Sequence, residues 1–209
     1  MHIDLSGPAG RLEAMLDVPG VMPRAAAVVA HPHPGYGGTM RSRVVHEVAR
    51  ALTRAGCAAL RFNFRGVGLS AGTFGEGEAE RDDFVAALDV VHDRYPDVPL
   101  WALGYSFGAW VAVEAAAADP RVSVVVAIAP PLGHYDFSRL GDVKAARYLV
   151  LAERDELCPL KEGRRFYGQL EEPRELVVID AADHAFDGKV ADLGDAIEEL
   201  LGDYGDRLL

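Results

Sequence analysis

Cysteine is scarce: Cys57 and Cys158 are the only two in 209 residues, too few for a disulfide framework and without the spacing of a zinc site. Basic residues are outnumbered, 21 against 32 acidic, and the net charge of −11 argues against a nucleic acid or an anionic membrane as partner. No apolar run reaches the ~18 uncharged residues that a membrane helix needs. The start, Met1-His2-Ile3-Asp4, lacks the basic and apolar blocks of a signal peptide. A cytoplasmic protein with reduced thiols is the expectation. No repeat or low-complexity tract interrupts the chain.

Apolar residues are plentiful, at 50% with a mean hydropathy of +0.05, enough for a full core in one domain spanning 1–209. Short β-rich runs alternate with amphipathic runs of helix length. Residues 3–5 with 11–18 read as an opening hairpin, and 25–30, 58–64, 98–103, 122–129, 147–152 and 175–179 as further strands. One helix is expected from a Thr39 cap through Val44, Val45, Val48, Ala51 and Leu52 to Gly56. Others span 82–95, before Pro96, and the stripe Val190, Leu193, Ile197, Leu200 and Leu201, with apolar positions three or four apart. This alternation implies an α/β fold, a mostly parallel twisted sheet with helices on both faces.

In an open parallel sheet, the loops after the strands converge on the ligand site. Gly104-Tyr105-Ser106-Phe107-Gly108 stands directly between the 98–103 run and the helix-like Ala109-Trp110-Val111-Ala112. Glycine two before and two after a serine suits a strand-to-helix turn too tight for side chains at its neighbours. Such a turn exposes the Ser106 hydroxyl. It also aims backbone N–H groups from Phe107 onward at the same space, where a helix N-terminus favours an oxyanion. The pattern alone is common; the strand before it and the helix after it favour a nucleophile over a purely structural turn.

A serine hydroxyl is a weak nucleophile and requires a base to take its proton and an acid to orient that base. Downstream, the 147–152 strand leads into Glu153-Arg154-Asp155-Glu156-Leu157-Cys158-Pro159, and the 175–179 strand into Asp180-Ala181-Ala182-Asp183-His184. His184, directly after the last strand, fits a base better than a histidine bonded to a backbone carbonyl. Glu153, Asp155, Glu156, Asp183 and Asp187 all lie near enough in sequence to compete for the acid's place.

In this order the segments resemble the α/β-hydrolase superfamily over nearly the whole chain: nucleophile after the fifth strand, acid after the seventh, histidine after the eighth. HPHPGYGGTM, LRFNFRGVGLSAG, GYSFGAWVA and DHAFDGK are together similar to a small cap-free branch near the dienelactone hydrolases. The chain departs from that branch in having serine for the dienelactone hydrolases' cysteine, Ala152 where many relatives carry glycine, and Asn63 where many carry aspartate. The resemblance implies about eight strands and a catalytic Ser106, His184 and Asp155, the last matching the family's acid turn before Cys158-Pro159. It also implies an oxyanion hole from the Phe107 and His33 amides, and hydrolysis of a small carboxylic ester or related acyl substrate. Pro32 and Pro34 have no N–H to give, and the family's donor position, two residues after the strand-ending histidine, falls on His33, with Gly35 or Tyr36 as replacements. Residues 130–145 are too few for a cap, so an open site is expected.

Other features carry less. His31 and His33, with His134 or His184, make a weak metal pattern lacking a carboxylate at helical spacing; hydrogen bonds that brace a proline-rich loop explain these imidazoles better. No Gly-Lys-Ser/Thr follows Gly35, Gly37 and Gly38, so no cofactor or metal is expected. Arg65 reads as a turn residue bonding loop carbonyls, with a substrate carboxylate as the lesser alternative. Tyr36 and Tyr105 are the candidate substrate-binding residues, beside Phe107 and Trp110. Thioesterase, aminopeptidase, acyl-transferase and non-catalytic binding readings stand as alternatives, the aminopeptidase weakened by the lack of an acidic cap. The expected partner is a small acyl compound, and the edge strand and last helix leave room for a two-fold dimer.

Overall fold

The computed structural model describes residues 1–202 and Tyr204. Strands β1 (His2–Gly7) and β2 (Gly10–Asp17) pair antiparallel as a hairpin. They are followed in sequence by β3 (Ala26–Ala30), β4 (Ala58–Phe62), β5 (Leu100–Tyr105), β6 (Val122–Ile128), β7 (Ala146–Ala152) and β8 (Arg174–Ile179). The eight form one sheet in the order β1-β2-β4-β3-β5-β6-β7-β8, parallel from β4 to β8. Helices α1 (Arg43–Arg54) and α5 (Val190–Gly202) pack together on one face, α2 (Glu78–Arg94) and α3 (Phe107–Ala116) on the other, and α4 (Leu160–Tyr167) lies against β7.

All residues of β3, β4 and β5 are buried, as parallel strands covered on both faces must be. In β3, Ala26, Val28 and Ala30 join the core under α2 and α3, while Ala27 and Val29 join the core under α1 and α5. A slip of one residue would exchange the two faces. Burial worth about 1.5–3 kcal/mol for each Val or Leu side chain therefore holds the register, and with it whatever follows β5.

Element boundaries move where backbone chemistry intervenes. β5 begins at Leu100 rather than 98, because Pro99 has no N–H for the ladder, and it runs on to Tyr105. β4 stops at Phe62; beyond it the Phe64 N–H turns to His31 Nε2 at 3.1 Å. Helix α1 begins at Arg43 with Ser42 in the cap position, whereas the expected cap, Thr39, accepts the Arg41 N–H at 3.1 Å in the turn before. Helix α2 starts at Glu78 rather than 82. There the buried Glu80 carboxylate accepts the N–H groups of Gly77 at 2.7 Å and Gly75 at 2.9 Å, a cap that apolar spacing does not reveal.

Two polar groups near the site prove structural. Arg65 bonds not loop carbonyls but Asp83 on α2, through Nη2–Oδ1 at 2.7 Å and Nε–Oδ2 at 3.0 Å, and its backbone N–H reaches the same carboxylate. The Asp83 side chain is fully buried, so this bidentate pair locks the loop after β4 onto α2. Asn63 accepts the Met40 N–H at 2.8 Å and donates to the buried Glu13 carboxylate at 2.7 Å. An aspartate at position 63 would set two carboxylates face to face.

Between β6 and β7 lies a single short 3-10 turn, Ser138–Gly141, in place of a cap. No helix among the described residues is long and apolar enough to cross a membrane.

Candidate active site

Ser106 occupies the joint between β5 and α3 with φ 55° and ψ −122°, a conformation costing a non-glycine residue about 1–3 kcal/mol. The surrounding backbones enforce it. A Cβ at Gly104 would lie 2.0 Å from the Gly108 carbonyl oxygen, and one at Gly108 would lie 2.5 Å from that of His31, so only glycine fits at either position. The Ser106 N–H donates to the Ile128 carbonyl at 2.9 Å, which ties the elbow to β6. Phe107 is the first residue of α3, where its N–H has no intrahelical acceptor.

His184 and Asp155 reach Ser106 from the loops after β8 and β7. His184 Nε2 is 2.9 Å from Ser106 Oγ, and Nδ1 is 2.8 Å from Asp155 Oδ2. Since a carboxylate only accepts, Nδ1 carries the proton and Nε2 is left to accept from the serine hydroxyl. The other Asp155 oxygen, Oδ1, accepts the N–H groups of Leu157 at 2.8 Å and Cys158 at 3.0 Å, and the side chain is fully buried. Three of the four rival carboxylates are engaged elsewhere: Glu153 accepts the Ala181 N–H at 2.7 Å, Asp183 accepts the Asp187 N–H at 3.0 Å, and Asp187 pairs with Arg43; Glu156 is exposed.

The histidine loop is held from below. Tyr105 is buried, and its hydroxyl donates to the His184 carbonyl at 2.8 Å. Burial, then the nearby Asp155 charge, pushes the phenol's pKa up, so it stays a donor. Expected to bind substrate, Tyr105 instead lies beneath the histidine. Ala181 and Phe186, flanking His184, have φ 58° and 54°, further backbone strain concentrated at this site.

His31 and His33 brace their loop as expected. In His31, Nδ1 donates to the Pro32 carbonyl at 2.6 Å and Nε2 accepts the Phe64 N–H at 3.1 Å, so neither nitrogen is open to a metal. His33 Nδ1 accepts the Gly35 N–H at 2.9 Å. Burial pushes the His31 pKa down to about 4. The neutral ring costs nothing above the unfolded value of about 6.5, and stability is lost as pH falls from there toward 4. Between about pH 7.5 and pH 4.5, wild-type protein is expected to lose roughly 2 kcal/mol more unfolding free energy than His31→Gln, measured by urea denaturation. Equal losses would refute a neutral His31.

A family model described as serine aminopeptidase, S33, matches residues 21–140. An uncharacterised protein of Rickettsia prowazekii is 34% identical over 210 residues, covering 96% of this chain and 88% of that protein. The solved structure of a lid-less α/β serine hydrolase from Xanthomonas campestris is 35% identical with a TM-score of 0.89, covering 100% of this chain and 94% of the other. The chain belongs to the α/β-hydrolase superfamily. A thiohydrolase of Arthrinium phaeospermum is 36% identical over 135 residues, 61% of this α/β hydrolase and 43% of that enzyme.

In this α/β hydrolase Ser106 opens onto a cavity of about 370 Å³. Phe107 lines it beside the serine; His33 and Tyr36 come from the loop after β3; Pro131, His134 and Tyr135 from the loop after β6; and Leu157 from the acid loop. Tyr36, 91% exposed, stands at the rim with its ring 5.1 Å from that of His33. Sequence reasoning named Tyr36 as a lining residue, considered His134 only as part of a metal pattern, and missed Tyr135 and Leu157. The one available signal was that Pro131 follows the end of β6, a strand end like those carrying the other site residues.

Proposed function

We propose that this α/β hydrolase is an enzyme that cleaves small carboxylic esters through a Ser106 acyl-enzyme. The observation that carries this reading is the unbroken relay from Ser106 Oγ through His184 to buried Asp155, at 2.9 and 2.8 Å, opening on a cavity large enough for a small ligand.

In the first step Ser106 Oγ attacks the acyl carbonyl carbon while His184 Nε2 takes the hydroxyl proton. Negative charge gathers on the carbonyl oxygen, which accepts the Phe107 N–H at the start of α3 and the His33 N–H from the loop after β3. Pro32 and Pro34, on either side of His33, have no N–H to offer. The imidazolium then protonates the leaving alkoxide, and the C–O bond breaks. In the second step water attacks the acyl-serine, giving its proton to Nε2; collapse releases the acid and returns the proton to Oγ. Asp155 holds Nδ1–H throughout and stabilises the imidazolium. These steps need no cofactor.

The family model carries an aminopeptidase's name, yet none of the cavity's lining residues bears a carboxylate to hold a substrate ammonium. That favours an ester over an aminoacyl amide. A thioester is the second reading, favoured by the likeness to the thiohydrolase; it follows the same steps with a thiolate leaving. A reducing cytoplasm suits the two buried thiols.

Wild-type protein, treated with a fluorophosphonate at neutral pH, is expected to gain one adduct, mapped to Ser106 by peptide mass spectrometry. It is also expected to turn over esters ahead of acyl thioesters and aminoacyl anilides. A folded sample that gains no adduct would overturn the assignment.

A further inference from the structure

The cavity beside Ser106 is walled by rings that contact one another. The Tyr135 ring stacks on Trp110, centroids 5.0 Å apart and planes 24° from parallel, and meets the edge of Phe107 at 5.7 Å. Phe107 meets His33 at 5.1 Å, and His33 meets Tyr36 at 5.1 Å. Trp110 is itself confined: a Cβ on Gly77 would lie 2.1 Å from its indole. Tyr135 is thus pinned flat on one side by the indole, a wall set before any ligand arrives.

The charges point the same way. No lining residue carries a carboxylate, ammonium or guanidinium. Burial pushes the His33 pKa down, so that ring is neutral near pH 7. The chain as a whole carries −11, which repels anions. Arg65, the arginine singled out from the sequence as a candidate for a substrate carboxylate, is held by Asp83.

Resting on the esterase reading above, we propose that this cavity is the acyl subsite and that it selects uncharged acyl groups ending in a flat aromatic ring, with Tyr135 as the specificity-determining wall. A saturated ring of the same size is more hydrophobic but cannot offer a π-face or edge to Tyr135 and Phe107. An acyl group ending in a carboxylate would lose its hydration without gaining a cation.

Three ethyl esters separate these effects: ethyl 3-phenylpropanoate, ethyl 3-cyclohexylpropanoate and ethyl hydrogen succinate. They share a small non-aromatic leaving group, and in the ring pair the carbonyl is insulated from the ring, so intrinsic reactivities match. For wild-type enzyme kcat/KM is expected to be about three- to ten-fold higher for the phenyl than for the cyclohexyl ester, with the succinate slowest. Tyr135→Phe is expected to keep that ratio and Tyr135→Ala to lower it by at least about two-fold, the remainder resting on Phe107. A cyclohexyl ester turned over as fast as the phenyl ester, a succinate as fast as either, or an unchanged ratio in Tyr135→Ala would each overturn the inference. Fluorophosphonate labelling of Ser106 without turnover of either ring ester would overturn the acyl-subsite assignment but leave the nucleophile standing. Neither labelling nor turnover would overturn the hydrolase reading, and this inference with it.

Discussion

Ser106→Ala is expected to lower kcat for ester hydrolysis by roughly 10⁵- to 10⁶-fold and to abolish fluorophosphonate labelling. In the proposed mechanism the hydroxyl oxygen is the atom that forms the acyl bond, and among the described residues Ser106 Oγ is the hydrogen-bond partner of His184 Nε2. Folding should be little affected. Alanine and serine both carry a Cβ and bear the φ of 55° equally, and the orphaned Nε2 belongs to a ring that is 22% exposed and able to bond water. The residual rate comes from the oxyanion donors and binding alone. Steady-state kinetics, intact-protein mass and a thermal melt test this together. A folded alanine variant retaining more than about one per cent of wild-type kcat would mean that another nucleophile carries the reaction.

Asp155→Asn is expected to cost about 10⁴-fold in kcat with the geometry preserved. The reason is the pair of amides on Oδ1. Leu157 and Cys158 both donate there, so the asparagine must turn its oxygen toward them and present its NH₂ to His184. The imidazole then has to accept at Nδ1, its proton moves to Nε2, and it can no longer take the serine's. Glu156→Gln, at an exposed residue of the same loop, is expected to change kcat by no more than about two-fold. A 155 variant retaining a tenth of wild-type activity would sink the assignment of the orienting acid. The Asp155 result thus tests the histidine's tautomer, where the Ser106 result tests the reacting atom.

The two residues most legible in the sequence were those whose local context is diagnostic. Ser106 could be read because the flanking glycines answer to crowding within five residues of chain. His184 could be read because it follows directly on the last strand. Asp155 was harder: five carboxylates competed, and only the resemblance singled it out. In the folded chain Glu153 binds the Ala181 N–H across the loops after β7 and β8, Asp183 binds the Asp187 N–H within its own loop, and Asp187 pairs with Arg43 on α1.

Misreadings follow the same division. Arg65 was read against its own loop, but its partner Asp83 stands on α2, eighteen residues further along the chain. Thr39 had the chemistry of a cap, and Ser42 holds the position. Tyr105 was read as a pocket wall because it adjoins the nucleophile. Yet side chains alternate along a strand, and the alternation turns it to the opposite side, under the His184 carbonyl.

By itself the sequence determined the α/β alternation and the sharp joint at Ser106, because both follow from backbone sterics and apolar spacing over a few adjacent residues. Only the tertiary structure decided which carboxylate meets the histidine, that Tyr105 supports rather than binds, and that Tyr135 lies flat on Trp110 to form a wall. Those contacts join residues far apart in the chain, and their approach is set by strand order and by the packing of helices on the sheet, which no local pattern encodes.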